Sequence, residues 1–305
     1  MLLALVAACT RHVPPATAPA TVATAPAAEQ PGTAVATAAE GPRLAMSPDG
    51  VHIEYRVLGQ GEPAVLLIHG WAADANYWSA QLAPLDAHYT VVPLNLAGHG
   101  GSGANRSDWS IGRYAADVAA VAQQLPNQRL VLVGHAMGAT VALAAAPLIG
   151  TRVQGIVAVE ALRSVGEPPL AAPEIARRMA AFRSDFVGAT RRLVMGSLFR
   201  RDADHVLMQK VAYDMSLEPP PVGIASLEAL LSFDFAPLLP QIRVPVYVIN
   251  SDLVPTDAAR LKRSLPNASL QVLAHSDHFL MLEDPARFNP LLLGAVAALA
   301  TPAAH

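Results

Sequence analysis

The residues best placed to do chemistry lie in and around the sequence VLVGHAMG, residues 131–138. An apolar run with β-strand character ends near Gly134, and an alanine-rich stretch with helical character begins at about Gly138. A sharp turn from a strand into a helix, with glycine on both sides, is a backbone shape that holds a nucleophile in many enzymes. The residue at the apex is Ala136, whose methyl group cannot attack a substrate. The pattern indicates either a catalytic turn without its nucleophile or a turn that never took part in catalysis.

Other residues capable of chemistry follow further predicted strands. The stretches that contain them are IHGW at 68–71, AGHGGSG at 97–103, INSD at 249–252 and HSDHFLMLEDP at 275–285. Strands alternate with helices along most of the chain, which predicts a mostly parallel sheet with helices on both faces. Because ligands of such sheets bind at the carboxyl ends of the strands, we expect these stretches to meet at one edge of the sheet.

Together with VGHAMG at 133–138, and in their order along the chain, these stretches resemble the α/β-hydrolase family over about residues 50–300. The family's nucleophile stands in the motif Gly-x-Ser-x-Gly, and its triad follows the chain order Ser, acid, His. The resemblance implies an α/β-hydrolase fold with a mostly parallel central sheet flanked by helices. We predict its core at residues 46–162 and 236–305, and a helical cap at 163–235, where prolines and helical segments replace the strand pattern.

The resemblance also implies roles for single residues. Ala136 occupies the nucleophile position, His278 that of the general base, and Asp252 that of the acid that orients the base. Two alternatives stay open, His275 for the base and Glu160, after an earlier strand, for the acid.

Stabilisation of the oxyanion is expected from the backbone N–H groups of Trp71 and Met137. The predicted substrate-contacting residues come from the oxyanion loop, the elbow and the cap: Gly70, His135, Met195 and Phe199. The two cap residues belong to an apolar set that forms either a pocket or cap core: Met195, Leu198, Phe199, Met208 and Phe233.

With serine at position 136, the expected reaction is hydrolysis of an ester, lactone or amide by acyl transfer. As written, the chain is expected to be nearly inert. Two interpretations of Ala136 stay open: an inactivated variant that still binds substrate, or a natural, non-catalytic binding protein of the same fold. Retention of an acid and a histidine favours the first interpretation, because a site released from catalysis has no chemical reason to keep them.

Composition limits the partners. The 21 Lys and Arg residues against 24 Asp and Glu residues give a formal charge of −3, and no dense basic run predicts nucleic-acid binding. No metal-ligand spacing or phosphate-binding glycine loop occurs, so no metal or cofactor is predicted. We expect a small-molecule substrate, an apolar acyl or ester compound.

The uncharged segment 130–150 has the length of a membrane span, but β-branched residues at its start and Pro147 favour a strand and a helix.

The N-terminus predicts export. Residues 1–9, MLLALVAAC, form a short apolar run that ends at Cys9, and Val6-Ala7-Ala8-Cys9 resembles a bacterial lipobox. Residues 10–45 are rich in Ala, Thr and Pro, which predicts an extended linker. We therefore expect the protein to be anchored through a lipid at Cys9, on the periplasmic or cell-surface side of a bacterial membrane.

Overall fold

The computed structural model, which describes residues 41–301, contains an eight-stranded sheet. The strands are β1 (Arg43–Met46), β2 (His52–Tyr55), β3 (Ala64–Ile68), β4 (Thr90–Leu94), β5 (Leu130–His135), β6 (Val153–Val159), β7 (Val246–Ser251) and β8 (Ala268–Leu273). Their order in the sheet is β1-β2-β4-β3-β5-β6-β7-β8. Strands β3 to β8 pair in parallel with one another, whereas β1 with β2 and β2 with β4 pair antiparallel. The predicted fold class is confirmed.

The central strands are apolar along their whole length. Every residue of β3, β4 and β5 is buried, as expected of parallel strands that are covered on both faces. Because they run in the same direction, the loops that follow β3, β5 and β6 lie at one edge of the sheet.

Ten α-helices accompany the sheet in the described part of the chain: α1 (Ser79–Asp86), α2 (Ile111–Gln123), α3 (Met137–Ile149), α4 (Ala172–Ser184), α5 (Phe186–Leu193), α6 (His205–Ser216), α7 (Pro220–Leu231), α8 (Ala258–Ser264), α9 (Leu280–Glu283) and α10 (Pro285–Ala300). The uncharged segment 130–150 is divided between β5 and α3. Among the described residues, no helix has the length and hydropathy needed to cross a membrane.

Helices α4 to α7 lie between β6 and β7, within the segment predicted to be a helical cap. Trp71, in the loop after β3, connects this segment to the core. Its indole N–H donates to the Gly223 carbonyl of α7 at 2.8 Å, and its ring packs edge-on against Phe182 and Phe186. The cap is therefore held directly above the loop that is predicted to supply an oxyanion donor.

The structure differs from the sequence-based boundaries at the N-terminal side of the core. Residues Arg43–Met46, three of which belong to the predicted linker, form β1 and pair with β2. Ala45 is buried there, so even this short edge strand contributes to the core. The predicted export segment, Cys9 and the rest of the linker up to residue 40 lie outside the described residues.

Candidate active site

The turn between β5 and α3 places Ala136 at φ 49° and ψ −111°. A positive φ is strained for a residue with a side chain, and strain of this kind is concentrated at functional sites. The flanking positions require glycine because a side chain at either one would collide with neighbouring backbone. An added Cβ on Gly134 would lie 2.3 Å from the Gly138 carbonyl oxygen, and one on Gly138 would lie 2.4 Å from that of His69. The chain therefore keeps the backbone of a nucleophile elbow although residue 136 has no nucleophilic atom.

A buried pair of side chains, His278 and Glu160, lies beside this turn. His278 Nδ1 is 3.2 Å from Glu160 Oε2, and the two side chains are 4% and 0% exposed. His278 follows β8 and Glu160 follows β6, so parallel strands bring both to the same edge of the sheet. Since Nδ1 donates to the carboxylate, Nε2 is the nitrogen that remains to accept a proton. The alternative base, His275, is exposed on the turn after β8.

The prediction of Asp252 as the acid is corrected by these contacts. The Asp252 carboxylate forms an ion pair with Arg200 and accepts a hydrogen bond from the Ser276 N–H at 3.3 Å, at a site where its side chain is 36% exposed. Glu160, the alternative, takes the position against His278. The physical reason is strand order, because β6 lies directly beside β5 and the elbow, whereas β7 lies one strand further away.

Glu160 is held by more than the histidine. Its Oε1 atom accepts a hydrogen bond from Arg163 Nη2 at 2.9 Å and another from the Ser251 N–H. Burial by itself raises the pKa of Glu160, but the hydrogen bond with His278 and the charge of Arg163 outweigh it and lower the pKa to about 2. Glu160 is therefore ionised at neutral pH.

Unlike Glu160, His278 favours its neutral form. Burial lowers its pKa, and this effect exceeds the upward effect of the Glu160 hydrogen bond and charge. A neutral imidazole beside an ionised carboxylate is able to accept a proton at neutral pH.

The loop after β3 is shaped by a second buried histidine. His69 Nε2 accepts from the Leu96 N–H at 2.9 Å, so His69 Nδ1 carries the hydrogen and donates to the Gly70 carbonyl at 2.8 Å. Burial lowers the pKa of His69 well below its ordinary value, so the ring stays neutral. This ring positions the backbone that leads into Trp71. The other predicted donor, Met137, is the first residue of α3, where a backbone N–H has no partner within the helix.

A cavity of about 300 Å³ lies between the elbow and the cap. Ala136, Met137 and His278 border it, together with residues 160–164, which follow β6. The remaining wall consists of Thr140, residues 167–170, Arg178 and four apolar residues after them, Leu230, Leu231, Phe233 and Phe235. Of the apolar cap residues that could form either a pocket or cap core, Phe233 borders this cavity. Arg163 and Arg178 were not predicted there, because charged residues ordinarily face solvent.

The residues predicted to contact substrate do not border this cavity. An added Cβ on Gly70 would lie 2.8 Å from His135 Nδ1, so Gly70 makes room for that ring. His135 Nε2 donates to the His278 carbonyl at 2.9 Å, and its ring lies 4.7 Å from the His278 ring. Phe199 stacks on the phenylalanine that follows His278, and Met195 packs half-buried against the core. The four residues therefore pack against other parts of the protein and do not line the cavity.

Comparison with known proteins agrees with this geometry. Residues 63–285 match the model of a family described as alpha/beta hydrolase fold. A protein of Stutzerimonas stutzeri (strain A1501), named "Putative carbamate hydrolase RutD", is 30% identical over 260 residues, which cover 80% of this chain and 97% of that protein. An esterase from Exiguobacterium antarcticum has a similar structure, with a TM-score of 0.75 at 22% identity, over 83% of this chain and 98% of the esterase. Est816, described as an N-acyl homoserine lactone degrading enzyme, gives a TM-score of 0.71 at 26% identity, over 83% and 99% of the two chains.

Proposed function

Because this chain belongs to the α/β-hydrolase fold family, we propose that its site hydrolyses a small ester-like substrate when residue 136 is serine. In the present chain, with Ala136, the same site binds that substrate without turning it over. The observation that carries the proposal is the buried contact between Glu160 and His278 beside the strained turn at residue 136. The relative named "Putative carbamate hydrolase RutD" supports hydrolase chemistry.

The mechanism of the serine form follows from the positions of these groups. Glu160 orients His278 and stabilises the imidazolium that forms. His278 Nε2 takes the proton of the serine hydroxyl as the serine oxygen attacks the substrate carbonyl. The N–H groups of Met137 and Trp71 stabilise the oxyanion, and His278 returns the proton to the leaving group. Water, activated by the same histidine, then releases the acyl group.

Ala136 itself supports a second candidate, a binding protein that retains a hydrolase fold. The two candidates differ in one experiment, which is hydrolysis of an activated short-chain ester by the Ala136→Ser variant. Turnover supports the enzyme, whereas a folded but inactive variant supports the binding protein.

The rate of the Ala136→Ser variant should depend on pH through His278. Neutral His278 is the active form, and burial lowers its pKa below the ordinary value of 6.5, so the base should stay neutral when the pH falls to that value. We expect kcat/KM to be constant through neutral pH and to fall at a midpoint below pH 6.5. The neighbouring His135 should not disturb this profile, because burial lowers its pKa to about 3. The measurement is kcat/KM against pH with a neutral ester, and a midpoint above 7 would contradict the assignment.

We also propose that Cys9 is lipidated and anchors the protein to a bacterial membrane. The lipobox-like sequence before Cys9 supports this proposal. The full chain, expressed in a bacterium, should fractionate with membranes, and Cys9→Ser should move it to the soluble fraction. A variant that stays with the membrane after this substitution would exclude a lipid anchor at Cys9.

A further inference from the structure

Two arginines with unused hydrogen-bond donors border the cavity. Arg163 comes from the turn after β6, and Arg178 comes from α4 in the cap. In each of them the Nη1 atom is buried and has no hydrogen-bond partner among the described residues. A guanidinium is always protonated and is only a donor, and buried donors of this kind are ordinarily paired.

The other donors of Arg163 already have partners. Its Nη2 atom donates to Glu160 Oε1, and its Nε atom donates to the Val254 carbonyl at 2.9 Å. The side chain is 5% exposed, so bulk solvent does not reach it readily. The free Nη1 atom is therefore an unpaired donor on a side chain that is fixed in place.

Arg178 also has a buried Nη1 atom without a partner in the described part of the chain and borders the same cavity. Its Nε atom donates to Glu174 Oε1 at 2.5 Å, and its side chain is 13% exposed. The two carboxylates that border the cavity do not satisfy either arginine's free atom. Glu160 is committed to His278, Arg163 Nη2 and the Ser251 N–H, and Glu167 is paired with Arg260 at 2.6 Å.

We propose that the two free Nη1 groups bind a carboxylate at the far end of the substrate's acyl chain. The site would then prefer monoesters of short dicarboxylic acids, with the ester carbonyl at residue 136 and the carboxylate at the arginines. Guanidinium donors suit a carboxylate, and charge-assisted bonds in a buried site are stronger than neutral ones. A single negative charge fits better than a phosphate dianion, because ionised Glu160 borders the same cavity. The volume of about 300 Å³ favours a short acyl chain.

This inference rests on the proposed function for the orientation of the ester, but binding tests it without turnover. The present chain, with Ala136, is titrated by calorimetry with monomethyl glutarate and with dimethyl glutarate, which differ by one methyl group and one charge. We expect the monoester to bind about tenfold more tightly, the ratio that about 1.4 kcal/mol of charge-assisted hydrogen bonding produces.

Arg178→Met should remove most of this difference, so that the two ligands bind within about twofold of each other. Arg177→Met is the matched control. Arg177 is the next residue of α4, contacts the same Glu174 and carries the same charge, but its side chain is 72% exposed and does not border the cavity. It should leave both affinities unchanged. If Arg178→Met does not fold, Arg178→Gln, which also removes the charge, must give the same loss.

The proposal is overturned if the diester binds as tightly as the monoester, or if Arg177→Met and Arg178→Met weaken monoester binding equally. The first result would mean that the Nη1 atoms are satisfied by water alone, and the second that the effect is general electrostatics. Selective binding of the monoester by the present chain, together with an inactive Ala136→Ser variant, would retain the carboxylate site and reject the hydrolase. Turnover of both esters by Ala136→Ser with equal KM would retain the hydrolase and reject the carboxylate site.

Discussion

The Ala136→Ser variant should hydrolyse p-nitrophenyl butyrate faster than the present chain by a factor on the order of 10⁶ in kcat, the loss that follows removal of the serine from a comparable triad. The backbone at residue 136 already has the strained elbow conformation, and His278 and Glu160 are paired beside it. A hydroxyl on the Cβ of residue 136 should therefore lie next to a histidine that is already oriented by a carboxylate.

The assay is nitrophenolate release at neutral pH, with the Ala136 chain as the blank. Ala136→Ser combined with His278→Ala should return the rate to that of the blank, because no other base replaces His278. A short burst of nitrophenolate, equal in amount to the enzyme, would show the acyl-enzyme directly. A revertant that is folded, yet inactive on a panel of esters, lactones and amides, would contradict the enzyme.

The second large effect should come from the acid. In the Ala136→Ser background, Glu160→Gln should lower kcat by about 10³ to 10⁴, since an amide cannot hold the imidazolium that forms during attack. The KM for this neutral ester should change little, because the Glu160 carboxylate acts on the reaction by orienting His278. Asp252→Asn should change kcat by much less, because the Asp252 carboxylate contacts Arg200 and the Ser276 N–H and makes no contact with His278. A larger loss of kcat from Asp252→Asn than from Glu160→Gln would instead assign the acid to Asp252.

Folding must be checked for Glu160→Gln. Removing this carboxylate leaves the Arg163 guanidinium buried without its anionic partner, and breaking a buried pair costs about 3–5 kcal/mol of folding free energy. Thermal unfolding of each variant separates this loss from a loss of chemistry. In any Glu160→Gln protein that retains measurable activity, the pH midpoint should move further down, because the carboxylate that raises the pKa of His278 is gone.

The acid shows how far the sequence determines the site. Glu160 and Asp252 both follow strands of one parallel sheet, and each was a candidate for the same role. The resemblance to the family favoured Asp252, but the carboxylate that contacts His278 is set by the order of the strands in the sheet. Glu160 follows β6, which lies beside β5 and the elbow, whereas Asp252 follows β7, one strand further away.

The pocket shows the same limit. Phe199 and Met195 were predicted to contact substrate because they are apolar and belong to the cap, yet they pack beside the base and against the core. Arg163 and Arg178 were not predicted, and both border the cavity. Apolar spacing shows that a helix has a buried face, but it does not show whether that face meets the core or a cavity.

The fold and the strand-to-helix turn at Ala136 were predictable from the sequence, because they depend on residues that are close together in the chain or on the order of strands and helices. His278 as the base stays a prediction. Local spacing is enough to identify a strand that turns into a helix between two glycines. The tertiary structure was needed to find the contact of Glu160 with His278, the hydrogen bond from His135 to the His278 carbonyl, and the two arginines at the cavity. Those depend on contacts between segments distant in sequence, and the distances between such segments are set by how the sheet and the cap pack.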